Sequence, residues 1–389
     1  MLWLKLALWL SVFASVYHIA LYPLLLALIN KYRGDFSSSG NDLCSKDELL
    51  LYPSITILCP AYNEEKVIEE KIQSFLALDY PKDKIKMLVL SDDSTDRTNE
   101  IVNRFTDQNI ELIIQKPRKG KQSAHNMVLD QLDTDLILST DANSIFAPDS
   151  VKILVKEIMS DPRIGMASGE LKLISSSGKD SGEGLYWRYE SFVKDMDSRF
   201  HSIIVANGSL FLIRRELFVQ IPPDSGDDFE RVLYLLSKGY LAKHVSKATV
   251  YEEVTEHAVE ELHRKIRIIS QEWAALKRYR QLLNPFQYPR ISFLLISHKL
   301  VRWMFFLFAG FILIASSLFY HQPFYKVLFD LQVLFYAIGF VGLIAQSKRK
   351  HIPGTGIPAY IITMCYASLI AFINFLMNKK SGVWNPIRK

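Results

Sequence analysis

Ser54-Ile-Thr-Ile-Leu-Cys-Pro60, followed at once by Ala61-Tyr-Asn-Glu-Glu65, decides how the rest of the chain is read. A β-branched run bounded by Pro53 and Pro60 predicts a buried strand. Behind it, Glu64 to Leu78 places Val67, Ile68, Ile72, Phe75 and Leu76 at helical spacing. The same alternation repeats downstream. Lys84 to Leu90, Ile110 to Ile114 and Asp135 to Ser139 read as strands, with helices over Thr95 to Phe105 and Gly120 to Leu132 between them. Strand and helix alternating this regularly imply an α/β fold, a mostly parallel sheet with helices on both faces. Ligands of such sheets sit beyond the carboxyl ends of the strands, so the chemistry is expected in the loops there.

Outward from this block the chain turns apolar at both ends. Leu2 to Ile29 is long enough to cross a hydrocarbon core, which takes roughly 20 helical residues, and too long for the roughly 7–15-residue apolar region of a signal peptide. Residues 1–30 are therefore expected to be an uncleaved transmembrane anchor. Lys31 and Arg33 follow it, which places the next segment on the cytoplasmic side. The Ser-, Gly- and Asp-rich stretch within residues 31–53 reads as a linker, and residues 54–285 as the soluble domain. Residues 286–302, with His298, Lys299 and Arg302 among large apolar groups, read as an amphipathic interfacial helix. In residues 303–389, Trp303 to Tyr320, Val327 to Gln346 and Ile357 to Met377 are candidate spans, and Lys348-Arg-Lys350 reads as a cytoplasmic loop. Three crossings after a cytoplasmic domain would leave the tail outside, in conflict with its Lys379, Lys380, Arg388 and Lys389.

Composition narrows the function classes. The chain has 389 residues, 49% hydrophobic and 22% charged, as apolar blocks attached to an ordinary soluble domain would have. A net charge of +5 with scattered Lys and Arg makes no demand for nucleic acid and suits a protein lying on anionic lipid headgroups. Cys44, Cys59 and Cys365 form no pair or Cys/His cluster, which argues against a disulfide framework or structural zinc. Gly120-Lys121-Gln122 lacks the earlier glycine of a phosphate loop, which disfavours an ATPase.

The expected strand-end loops carry polar groups in a telling order: Pro60 to Glu65, Ser91-Asp-Asp-Ser-Thr-Asp-Arg-Thr98, Lys119 to Asn126, and Ser139-Thr-Asp-Ala-Asn-Ser144. Any one alone is compatible with simple helix capping. Together they describe a site for a nucleotide bearing a diphosphate. Asp141 and Asn143 offer two hard oxygens to a divalent cation, Mg²⁺ or Mn²⁺. Asp92, Asp93 and Tyr62 offer acceptors and a stacking face to base and ribose, and Lys121 at a helix start offers charge to phosphate. In Ser225-Gly-Asp-Asp-Phe-Glu230, before a helix expected over Arg231 to Lys238, Asp227 and Asp228 are the candidate acids for deprotonating an acceptor hydroxyl. His125 and His201 read as surface or capping groups, and Glu252-Glu253 and Glu260-Glu261 as a solvated face. Tyr186 and Trp187 read equally as acceptor lining or as core, and Trp273 as membrane-interface anchor or acceptor platform.

These loops, with Gly184-Leu-Tyr-Trp-Arg-Tyr-Glu190 and Ala206-Asn-Gly-Ser209, resemble family 2 glycosyltransferases of the GT-A fold. The nearest likeness is to membrane-embedded members related to cellulose, chitin and hyaluronan synthases. It runs from about Pro53 to Trp273 and continues loosely into the apolar part. The resemblance implies that Tyr62, Glu64, Asp92 and Asp93 hold the nucleotide, and that Asp141-Ala-Asn143 occupies the place of a metal-binding Asp-x-Asp. It implies that Asp228, second of the acid pair, is the catalytic base of an inverting transfer, and that Asn207 and Gly208 line the acceptor entrance. Asn143 departs from the usual second carboxylate. Processive members carry Gln-x-x-Arg-Trp where this chain reads Arg264-Lys-Ile-Arg267-Ile268; Arg267 remains for the diphosphate, while the Gln and Trp are gone.

The expectation is a membrane-bound hexosyltransferase passing sugar from a nucleotide-sugar, a UDP-sugar by expectation, to a lipid-linked, lipid or polysaccharide acceptor. Its partners are then that donor, a glycan or lipid-linked acceptor and membrane lipids, and its place a bacterial plasma membrane with the catalytic domain in the cytoplasm. A processive synthase that also translocates its polymer, and a non-catalytic subunit that binds nucleotide-sugar, are the alternatives.

Overall fold

The computed structural model describes residues 1–33, 52–174, 182–253, 258–348, 350 and 352–379. Most of the expected linker, Cys44, Arg349 and the basic tail from Lys380 onward fall outside the described residues, as do the side chains of Tyr186 and Glu260.

Eight strands form one sheet: β1 (Ile55–Ala61), β2 (Ile85–Asp92), β3 (Ile110–Gln115), β4 (Leu136–Thr140), β5 (Ile145–Phe146), β6 (Ile164–Ile174), β7 (Leu210–Arg214) and β8 (Leu241–Glu253), in the order β3-β2-β1-β4-β7-β6-β8-β5. The opening stretch lands at its centre. Ile55 lies opposite Ile85 on one side and Leu136 on the other, both in parallel register. All of β4 and all but Pro60 of β1 are buried, as a strand covered on both faces requires. The expected parallel arrangement holds for β3-β2-β1-β4. Beyond β4 the sheet is mixed, because β7 runs antiparallel to both β4 and β6. Thr140 pairs with Leu210, so the Ala206–Ser209 turn already stands at the carboxyl edge of β4 and the chain can only run back down. Gly169 marks a tight passage in β6, where a Cβ would lie 2.3 Å from Leu210 Cδ2 and 2.6 Å from the Ala248 carbonyl oxygen.

The helices are α1 (Leu2–Val16), α2 (Tyr22–Arg33), α3 (Ile68–Leu76), α4 (Thr98–Asn103), α5 (Lys121–Val128), α6 (Ser150–Ser160), α7 (Gly182–Phe200), α8 (Asp227–Ser237), α9 (Ala258–Arg278), α10 (Pro289–Leu294), α11 (Val301–Trp303), α12 (Phe305–Leu318), α13 (Pro323–Ser347) and α14 (Gly356–Leu376). Helix α3 starts four residues later than the apolar spacing predicts, because residues 63–65 spend their backbone groups on the neighbouring loop. Glu64 N–H donates to Thr98 Oγ1 (2.8 Å) and Glu65 N–H to Asp96 Oδ2 (3.0 Å), while Asn63 adopts a φ of +53°. Helix α8 starts four residues earlier than expected, so Asp227 and Asp228 lie inside its first turn rather than ahead of it.

Among the described residues, three helical stretches are long and apolar enough to cross a membrane: Leu2–Arg33, with a π-helical turn at Tyr17–Leu21, then α13 and α14. The segment expected to cross over Trp303 to Tyr320 forms a short helix joined to a bent partner. Helix α12 has 14 residues, about 21 Å at roughly 1.5 Å per residue, short of a hydrocarbon core of about 30 Å. It joins the preceding helix Pro289–Trp303 across a 54° bend, as a broken span or a re-entrant hairpin. That preceding helix contains a second π-helical turn, Leu295–Leu300. Its His298 and Lys299 are each 4% exposed, so they face protein rather than the headgroups expected for an interfacial helix.

The sheet separates two cores. On one face, α3, α4 and α6 close over Ile57, Val89, Leu138, Val155 and Leu212. On the other, Leu58, Ile137, Phe211 and Phe229 share a single cluster with Tyr22 and Leu26 of α2, Trp303, and Ala367 and Ala371 of α14. The second face is therefore built on the membrane helices themselves.

Candidate active site

The loops after β1, β2 and β3 are bound into one surface. Asn63 Oδ1 accepts from Thr95 N–H (2.8 Å), in addition to the two bonds from residues 64 and 65. Asp92, 4% exposed, accepts from Gln115 Nε2 (2.5 Å) and from the backbone N–H groups of Lys119 and Gly120 (2.8 Å each). The Arg118 guanidinium lies 3.6 Å above the Tyr62 ring and 3.6 Å from Asp92. Tyr62, Glu64, Asp92 and Asp93 are thus brought to the carboxyl ends of β1 and β2. Asp92 is already engaged in holding the loop that starts α5, and Gly120, at φ +92°, makes the turn.

The turn after β4 is held from below. Lys71, fully buried on α3, donates to Thr140 Oγ1 (2.8 Å) and to the Ser144 carbonyl (2.5 Å), bracketing Asp141-Ala142-Asn143. Burial pushes its ammonium down to about 7. The expected solvated Glu252-Glu253 face is corrected at Glu252, which accepts from Ser144 Oγ (2.5 Å) and Ser209 Oγ (2.6 Å). Ser209 Oγ also reaches Asp141 Oδ2 at 3.3 Å, so a carboxylate from β8 joins the β4 turn. Strand alternation turns the adjacent Glu253 outward, where it is exposed.

Lys121 ties this turn to the acid pair. Its ammonium lies 2.8 Å from Asp141 Oδ1, 3.4 Å from Asp227 Oδ2 and 3.5 Å from the Gly208 carbonyl. Burial works against the charge, but Asp141 and Asp227 outweigh it and hold the ammonium above its usual range. Asp228 sits beside them: a Cβ on Gly208 would be 3.7 Å from Asp228 Oδ2, and Ala206 N–H donates to the Asp228 carbonyl (2.9 Å). Burial, with the charges of Asp227 and Glu272, raises the Asp228 carboxyl to about 6, opposed by Lys299 and Lys121. Asn207 is buried and structural in its contacts, donating to the Gly169 carbonyl (3.3 Å) and accepting from Ser209 N–H (3.2 Å). His125 is no surface group. It is fully buried 3.8 Å from Asp227 and held well below its usual pKa, by burial first and then by Lys121 and Arg231.

Helix α9 closes the other side. Burial first, then the charge of Arg264, lowers the Arg267 guanidinium below its usual range, opposed by Asp228, Asp141 and Asp227, whereas the Arg264 guanidinium is engaged by Glu261 at 2.6 and 2.9 Å. Trp273 packs against Trp303, Phe372 and Phe375 (centroids 4.8, 5.5 and 5.2 Å), as the anchor of α9 on α14 rather than a platform. One turn after Arg267 stands Gln271, 7% exposed, whose Oε1 approaches Gly226 beside Asp228. Sequence reading missed Lys71, Glu252 and Gln271. Lys71 had a signal, since it falls between Ile68 and Phe75 at apolar-face spacing; the other two had none.

The donor set suits a hard divalent cation that keeps substrate and water oxygens. The Asp141 side chain is 38% exposed and Asn143 adds an amide oxygen, while the described residues hold no group of three or more His, Cys, Asp or Glu side chains arranged to hold a metal ion. Mg²⁺-type sites commonly use one or two protein oxygens plus phosphates rather than a closed protein cage.

Comparison with known proteins agrees with this architecture. Residues 56–221 match the family described as "Glycosyl transferase family 2". The chain is similar to "Probable glycosyltransferase YdaM" of Bacillus subtilis (strain 168), 35% identical over 130 residues, 32% of this chain and 31% of that protein. It is also similar to an "N-acetylglucosaminyltransferase" of Neorhizobium galegae, 25% identical over 273 residues, 64% of this chain and 62% of the relative. The chain therefore spans less than two thirds of the length of these relatives. Among solved structures it is similar in fold to the mannosyltransferase PcManGT from Pyrobaculum calidifontis, in complex with GDP-Man and Mn²⁺, with a TM-score of 0.70 and 20% identity over 96% of this chain and 99% of the other.

Proposed function

We propose, from the match of residues 56–221 to glycosyl transferase family 2, the GT-A-type fold and the apolar helices long enough to cross a membrane, that the chain is an inverting glycosyltransferase of that family. It takes a sugar from a nucleotide-sugar, a UDP-sugar in this reading, and gives it to a lipid-linked, lipid or glycan hydroxyl at the membrane surface. The observation that carries the proposal is the meeting of Asp141, Asp227, Asp228 and Gly208 around Lys121, which joins loops distant in sequence into one reacting centre.

Each group has a role in this reading. Tyr62, Glu64, Asp92 and Asp93 hold base and ribose, with Arg118 stacked on Tyr62. Lys121 and Arg267 face the diphosphate, and Asp141 with Asn143 would hold Mg²⁺ or Mn²⁺. The cation neutralises charge on the departing nucleoside diphosphate. Asp228, with its carboxyl raised to about 6, is mostly ionised at neutral pH yet basic enough to take the proton of the acceptor hydroxyl. The freed oxygen attacks the anomeric carbon opposite the leaving diphosphate, which inverts that centre. Asn207 and Gly208 border the acceptor entrance, and Asp227 and Arg264 support the pair and α9. The anchor is residues 1–30, the catalytic domain residues 54–285 on the cytoplasmic side of a bacterial plasma membrane, followed by the helix at 286–302 and a membrane region at 303–389. Lys31 and Arg33 after the anchor support that orientation.

The test is release of nucleoside diphosphate by the purified full chain with Mn²⁺ across a panel of UDP- and GDP-sugars. Turnover with one donor, abolished in Asp228→Asn, is expected; no turnover with any donor, or full activity of that variant, overturns the proposal. With Trp273 enclosed by α11 and α14, a single added sugar is the expected product, and a ladder of long chains would overturn that part.

A further inference from the structure

Behind Asp228, away from the donor loops, lies a buried ion pair between elements separated in sequence. Lys299 Nζ is 2.6 Å from Glu272 Oε1, with both residues at least 94% buried. Glu272 follows Gln271, whose Oε1 lies 3.6 Å from the point where a Cβ on Gly226 would stand; Asp228 Oδ1 is 3.0 Å from that same point. Lys299 lies 5.5 Å from the ring of Phe229, the residue after Asp228, and that ring packs against Trp303 at 6.0 Å. The pair therefore lies along the wall between α9 and the helix Pro289–Trp303, beside the start of α8 that carries Asp228.

Its position is firmly set. The π-helical turn that carries Lys299 also carries His298, which contacts Asp197 (2.5 Å) and Glu190 (3.3 Å) of α7. Tyr22 of the N-terminal membrane helix donates to the same Asp197 (2.5 Å), and Arg302 pairs with Glu190 (2.6 Å). A π turn shifts the helix register locally, here allowing His298 and Lys299 to face α7 and α9 in succession. A buried ion pair contributes little net stability compared with an apolar pair of similar volume, so stability alone gives no reason for charge at this wall.

We propose that the Glu272–Lys299 pair is a positioning device for the reaction, in which Lys299 cancels the Glu272 charge so that the nearby, partly buried Asp228 can ionise. The charged groups facing Asp228 are Asp227 on its own helix, Lys121 from α5, Arg267 and Glu272 from α9, Lys194 from α7, and Lys299. Glu272 opposes ionisation of Asp228 and Lys299 favours it. Removing Lys299 alone leaves a buried anion against the base; removing Glu272 alone leaves a buried cation beside it.

This inference rests on the reading of Asp228 as general base, and its test separates the two. The kcat/KM of the full chain in detergent is followed from pH 5 to 9 with saturating Mn²⁺ for wild type, Lys299→Met, Glu272→Gln, the double variant and Lys299→Arg. Lys299→Met is expected to move the acid limb up by about one unit, and Glu272→Gln to move it down by a similar amount. The double variant returns it toward wild type, and Lys299→Arg keeps it in place. At pH 6 the two single variants should then differ by on the order of 10-fold or more, in opposite directions from wild type. A merely structural pair would lower expression or rate while leaving every limb at the wild-type pH, and that outcome overturns the inference while leaving the assigned base intact. If Lys299→Met does not fold, Glu272→Gln decides alone, a downward shift supporting the inference and an unmoved limb overturning it. A wild-type profile with no acid limb overturns both this inference and the assignment of Asp228.

Discussion

The proposed donor half and the proposed acceptor half of the centre are built differently. The donor half is made of the turns after β1 to β4, each short and contiguous, bonded sideways to the next through Asn63, Asp92, Asp96 and Lys71. The acceptor half is made of single residues from α8, α9 and the helix Pro289–Trp303, joined to each other, to α7 and to donor-side Lys121 by ion pairs over long sequence separations. The face of the sheet under β1 and β2 closes on α3 and α4, as in an ordinary soluble domain; on the opposite face α2 and α14 share one cluster with α5, α7 and α8. A binding surface can therefore be encoded locally. An acid of adjusted strength needs neighbours placed by the whole fold, here including the membrane helices.

The sharpest break of this comparison is Asp228→Asn. It should lower kcat by about 10³-fold, within the range for loss of a general base, and leave donor affinity unchanged; a parallel loss of affinity in calorimetry would move Asp228 to the donor half. Asp141→Ala should act the other way, raising the donor KM by on the order of 100-fold and removing the response to Mn²⁺. Nucleotide binding measured with and without Mn²⁺ checks it, and an unchanged cation response would exclude Asp141 as a ligand.

Lys71→Met tests the support beneath the donor half. It leaves the Ser144 carbonyl without its buried donor, a loss of about 1–3 kcal/mol. The expected result is a lower melting temperature together with a weaker donor KM, since the turn it brackets carries Asp141 and Asn143. Smallest are two neighbours on β8. Glu252→Gln should raise the donor KM measurably, whereas exposed Glu253→Gln should stay within about 0.5 kcal/mol in stability with an unchanged KM; equal effects would mean that Glu252 does not belong to the β4 turn.

Much of the donor half was legible because its signals are local. A β-branched run, the helical spacing after it and an acid-rich turn occupy neighbouring positions at β1, β2 and β4, and each landed where expected within a few residues. The errors have local physical causes. Helix α3 lost its first residues to inter-loop bonds of residues 63–65, and α8 gained the acids at its start, where the helix dipole favours them. His125 and Glu252 were misread because a polar residue type predicts exposure, and only the packing of α5 beneath the acid pair and of β8 beside β4 buries or engages them. Spacing cannot separate the two roles open to Trp273; the packing of α14 against its ring does.

By itself the sequence determined that strands and helices alternate around polar turns and that apolar segments flank them, because hydrophobic period and turn chemistry act over a few residues. Only the tertiary structure decided that β7 reverses the sheet, that α12 meets the helix before it at a 54° bend, and that Glu272 of α9 pairs with Lys299. Those outcomes depend on which surfaces meet. The energies that select them, desolvation of charge and burial of apolar area, are properties of contacts between distant segments and leave no mark in the order of neighbouring residues.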